Sequence, residues 1–160
     1  MKKGIRRAES SPPLRGAEQS EQKNLRDTAD LVITTLTGQD VDVSEDAIAL
    51  IAGPYPGDVG SHTYVYGPTV GALVTAEAPQ LLVSRLKNAA DFAVFTRPNG
   101  TPAWVHAPSV TAVRAPVWTE VPYPGQGIAQ AVLVMGKFHQ SVQEKMAVSV
   151  EILNAHGAHL

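Results

Sequence analysis

An apolar run, Leu31-Val32-Ile33, continues through Thr34-Thr35-Leu36 to Thr37-Gly38, after which Val41 and Val43 recur on alternate positions. Alternation with a period of two puts one set of side chains on a buried face and the other in solvent, so this region predicts two strands joined by a tight turn. The run Phe92-Ala93-Val94-Phe95-Thr96 leads to Asn99-Gly100 and then to Ala103 and Val105 in the same way. Asn-Gly between apolar runs is a hairpin signal because both residues accept positive φ at low cost.

These two regions are spaced alike. Gly38, Ala47, Ile48, Ile51 and Pro54 shift by 62 positions onto Gly100, Ser109, Val110, Val113 and Pro116, keeping the glycine, proline and most apolar places. Pro54-Tyr55-Pro56-Gly57 recurs as Pro122-Tyr123-Pro124-Gly125, and Tyr64-Val65-Tyr66-Gly67 is echoed by Leu133-Val134-Met135-Gly136. Each stretch closes on apolar residues spaced i, i+4, i+7: Leu82, Leu86 and Ala89 in the first, Met146, Val150 and Leu153 in the second. That spacing places them on one helical face. Pro79 is tolerated near the first helix start, where amides lack intrahelical acceptors.

The pattern therefore predicts a mostly β, α+β protein made of two copies of a small antiparallel β unit, each ending in a helix, packed with pseudo-two-fold symmetry. Residues 29–90 form the first copy and 91–160 the second. A unit of this size is near the lower limit for an independent core, so the copies are expected to share one, like a fused homodimer.

Charge sets residues 1–28 apart. They carry seven of the chain's 13 basic residues, together with Ser-Ser-Pro-Pro, and almost no aliphatic residue. Such a segment cannot bury enough area to offset the entropy of ordering and is expected to be a disordered basic tail. Beyond position 30 remain six basic and ten acidic residues, a net charge of about −4. A mildly acidic body does not grip phosphates over a broad surface, so nucleic-acid binding would fall to the tail.

With no cysteine, disulfides, thiolate zinc sites and cysteine nucleophiles are excluded. No apolar run approaches the roughly 20 residues that span a bilayer, and the basic start has no apolar stretch behind it, so the chain reads as cytoplasmic with no membrane contact.

The residues Leu36-Thr37-Gly38-Gln39-Asp40-Val41-Asp42-Val43 with Ile48, Ile51 and Pro54, and Phe95-Thr96-Arg97-Pro98-Asn99-Gly100 with Trp104, Val105, Val110, Val113 and Pro116, carry a resemblance. Each set resembles the small flagellar and swarming motility proteins of the FlbD-like kind, over residues 31–88 and 92–153 separately. That family is a single unit. The resemblance implies a compact β-rich unit with a terminal helix and a non-enzymatic role, and it brings no catalytic residue.

Candidate chemistry is sparse. No G-x-S-x-G elbow is present, and Ser44 and His106 fill equivalent corners. His156 and His159 form a lone H-x-x-H pair without convergent carboxylates, and Asp40, Asp42, Glu45 and Asp46 lack the glycine-centred loop of a calcium hand. The glycine-rich stretches open no helix and precede no Lys-Ser/Thr, so no phosphate cradle, cofactor or metal is implied. An enzyme ranks last.

Two groups remain. Tyr55 and Tyr123 on proline-stiffened loops, with Trp118 beside the second, either present a flat apolar surface to a partner or fold back over the core. Arg97 and Arg114 either stack on a base and hold an anion or are structural. The chain accordingly reads as a binding or assembly protein contacting a protein partner, or itself, through the Pro-Tyr-Pro-Gly loops and a sheet edge. The alternatives are a small-molecule or nucleotide ligand in a cleft between the copies, and nucleic acid on the tail.

Overall fold

The computed structural model describes residues 30–54, 62–117 and 128–160. The expected tail and the two Pro-Tyr-Pro-Gly loops, with Tyr55, Trp118 and Tyr123, lie outside the described residues.

The chain is mostly β, with three antiparallel sheets. Strands β1 (Asp30–Thr34) and β2 (Asp40–Ser44) form a hairpin, followed by a 3-10 turn (Glu45–Ala47) and strands β3 (Leu50–Ala52), β4 (Thr63–Gly67) and β5 (Gly71–Thr75). Helix α1 (Pro79–Ser84) and a 3-10 turn (Ala89–Asp91) lead to β6 (Phe92–Thr96), β7 (Pro102–His106), a 3-10 turn (Ala107–Ser109), β8 (Ala112–Arg114), β9 (Ala131–Met135), β10 (Phe138–Val142) and helix α2 (Met146–Ala155). The predicted turns fall at Gly38 and Gly100, whose φ values of 87° and 89° explain why glycine occupies both.

A five-stranded sheet in the order β5-β4-β3-β7-β6 lies at the centre. It joins the two halves of the sequence through β3 and β7, with Leu50 opposite Val105 and Ile51 opposite Trp104. The pleat sends adjacent side chains to opposite faces, and each face meets its own core. Ile51 and Val65 face a core completed by Leu31, Ile33 and Val43 of the hairpin and Leu82 of α1. Leu50, Phe95 and Val105 face a second core completed by Leu133 and Met135 of β9 and Leu153 of α2.

The three-stranded sheet, order β10-β9-β8, covers that second face. In β3 all three residues are buried, because both of its faces are covered. The half-to-half pairing is unequal: β3 bonds to β7, whereas β8 and β2 stand at the ends of their sheets.

The helices depart from the i, i+4, i+7 expectation. Helix α1 ends at Ser84, so Leu86 reaches the first core from beyond the helix and Ala89 from the next 3-10 turn. In α2 the buried residues are Ser149 and Leu153, while Met146, in the first turn, is exposed. Ser149 tolerates burial because its hydroxyl donates to the Glu144 carbonyl.

Long-range polar contacts hold the chain around the central sheet. Within the first half, buried Glu45 accepts the Lys87 N–H at 2.8 Å. Arg97 donates across to the Gly53 carbonyl. The His106 N–H donates to the Ala49 carbonyl at 2.9 Å.

Candidate functional site

The second core is not closed along its whole length. Between the central sheet and the sheet that holds β10, a cleft of about 220 Å³ opens, with Leu50 and Tyr66 on one side and Met135, Phe138, His139 and Gln140 on the other. Its two walls come from different halves of the sequence.

Local sequence explains these walls. In β4, alternation buries Thr63, Val65 and Gly67 and leaves Tyr64 and Tyr66 half-buried on the opposite face. Their rings stack with centroids 6.3 Å apart, which orients Tyr66. Tyr66 then meets Phe138 at 6.0 Å and an interplanar angle of 58°, a tilted arrangement that matches ring edge to ring face. Leu50 and Met135 form a buried apolar floor, and the flexible thioether adapts to an irregular guest.

The rim is polar. His139 Nδ1 accepts from Arg114 Nη2 at 3.3 Å, and Arg114 Nη1 donates to the Ala115 carbonyl. Gln140 turns its amide onto the Ser141 carbonyl at 2.8 Å. Lys137, exposed in the β9–β10 turn, adds another positive charge to this sheet.

The two arginines singled out from sequence therefore have separate surroundings. Arg114 adjoins the cleft through His139. Arg97 is 3% exposed and follows β6, where its Nε donates to Thr101 Oγ1 at 2.9 Å and its Nη2 to the Gly53 carbonyl at 3.1 Å. There it braces the hairpin against the end of β3. Tyr66 and Phe138 were not picked out from sequence, although the Tyr-Val-Tyr alternation was a signal that Tyr64 and Tyr66 share a face.

Other groups show less. A more open hollow of about 550 Å³ is bordered by Thr34, Thr35, Thr75, Glu77 and Arg85, but Arg85 forks onto the Glu77 carboxylate at 2.8 and 2.9 Å. His106 and Ser109 share a 2.6 Å hydrogen bond at one corner, with the Phe92 ring 5.2 Å from the imidazole. Burial lowers the His106 pKa below its usual 6.5, against the opposing pull of Asp91 and Asp46. Among the described residues no group of three or more His, Asp or Glu side chains is placed to hold a metal ion, and no helix is long and apolar enough to cross a membrane.

Comparison with family models, with curated proteins and with solved structures finds no match to this chain.

Proposed function

We propose that the protein is a non-enzymatic binding module that holds a protein partner by seating one apolar or aromatic side chain in the cleft beside the Tyr66–Phe138 ring pair. The observation that carries this reading is the tilted ring pair over the Leu50–Met135 floor. A preformed aromatic pocket with a polar rim is the arrangement in which a single anchor contributes most of an interface's energy.

Size favours a side chain over a whole cofactor. Ligand pockets for drug-sized molecules occupy roughly 300–1,000 Å³, whereas this cleft holds about 220 Å³. The nucleotide reading keeps one specific support, the Arg114 guanidinium against His139 at the cleft rim.

The same proposal takes the chain as a diverged duplication. The succession β, β, 3-10, β, β, β, α runs once over residues 30–84 and again over 92–155. Unequal seams then follow from divergence: Asp42 stands where a shift of 62 positions from Trp104 falls. Trp104 packs over the first core beside Ile51, a place a carboxylate would occupy only at the cost of its hydration.

Replacing Phe138 by Asp tests the reading. The variant is expected to keep the wild-type circular dichroism and to lose the bound partner. A partner retained at unchanged affinity overturns it.

A further inference from the structure

The cleft borders β10, which is the last strand of its sheet, with no strand on its outer side among the described residues. An edge strand offers a row of main-chain donors and acceptors to an incoming strand. Strand addition draws affinity from those groups and specificity from pockets that take alternate side chains. Here the pocket and the edge adjoin: Phe138, His139 and Gln140 belong to β10 and line the cleft.

Charge says what kind of segment fits. Beyond position 30 the protein carries about −4. Of its six basic residues there, Arg97 is buried and Arg85 is paired with Glu77. Arg114 on β8 adjoins His139 at the rim, and Lys137 is exposed in the β9–β10 turn of the same sheet. That sheet thus presents positive charge on an otherwise acidic body, and complementary charge steers encounter and fixes register.

We infer that the partner is an extended, acidic protein segment that adds as a strand to the β10 edge and places one aromatic side chain in the cleft against the Tyr66–Phe138 ring pair. This rests on the binding reading above and names the chemistry of its partner. Gln140 is the residue that gives way, since its amide now covers the Ser141 carbonyl on the same strand.

The test is calorimetric titration of the full chain with three acetylated, amidated pentapeptides: Glu-Val-Phe-Val-Glu, its lysine counterpart Lys-Val-Phe-Val-Lys, and the acidic peptide methylated on both valine nitrogens. The acidic peptide is expected to bind about tenfold or more tightly than the other two, and those amides among residues 138–141 that point away from β9 to gain protection from hydrogen exchange. Equal binding of the methylated peptide overturns strand addition, and equal binding of the lysine peptide overturns the charge assignment. If the acidic peptide does not bind while N-acetylphenylalanine amide perturbs the Met135 methyl group, this inference fails and the cleft reading stands. If neither binds, both fail.

Discussion

Leu50 and Ile51 are neighbours on β3 whose side chains belong to different cores, Leu50 to the one shared with β9 and α2 and Ile51 to the one beneath the β1–β2 hairpin. Both are buried, so Ala at either is expected to cost about 2–5 kcal/mol in urea unfolding. Their functional effects should differ. Only Leu50 lines the cleft, so Leu50→Ala also changes affinity for an aromatic probe, while a folded Ile51→Ala protein keeps it.

Arg97 is expected to be a stability residue. Arg97→Ala strands the buried Gly53 carbonyl and removes the donor to Thr101 Oγ1, at a cost of about 2–4 kcal/mol. Arg97→Lys keeps the charge but not the fork, and is expected to recover only part of that loss. Equal stability of Arg97→Ala and wild type would contradict the bracing role.

Gly67 ends β4 where an added Cβ would run into the Ala47 carbonyl oxygen, which belongs to the backbone and cannot swing aside. Gly67→Ala is therefore expected to cost at least about 3 kcal/mol. Gly71 opens β5 at φ 76° with open space around its Cβ position, so Gly71→Ala should cost only the left-handed strain of about 1–2 kcal/mol. Thermal melts of the two variants check the order.

His106 predicts an acid-side loss of stability. Its folded pKa lies below 6.5 because burial disfavours the imidazolium. Above pH 6.5 both states are neutral and it adds no pH dependence. As pH falls through 6.5 the unfolded chain takes up a proton that the folded chain does not, so stability declines until the folded pKa is reached. His106→Gln should flatten that part of the stability–pH curve; an unchanged slope would show that other groups produce it.

Much of the local order was legible in the sequence. Gly38 and Gly100 marked the two hairpins, and Pro79 is the first residue of α1. The long-range order was not. A three-residue strand such as Leu50-Ile51-Ala52, apolar throughout, has no alternation to reveal it, and its pairing with β7 depends on contacts far away in the chain. Leu86 and Ala89 fit a helical period yet reach their core from outside a helix, because α1 stops at Ser84.

The candidate site was legible only at its rim. Arg114 was singled out for its charge and stands beside His139. Tyr66 and Phe138 come from opposite halves and from different sheets, and nothing along the chain brings them together before the β8–β10 sheet packs on the central one.

The most direct test of the cleft uses the chain's methionines, of which there are three. Met135 is the floor of the cleft, Met146 is exposed on α2, and Met1 lies outside the described residues. With 13C-methyl methionine in the full chain, N-acetylphenylalanine amide is expected to shift the Met135 signal saturably and leave Met146 in place. No response at Met135, or the same linear drift at both, would contradict a cleft that takes an aromatic side chain.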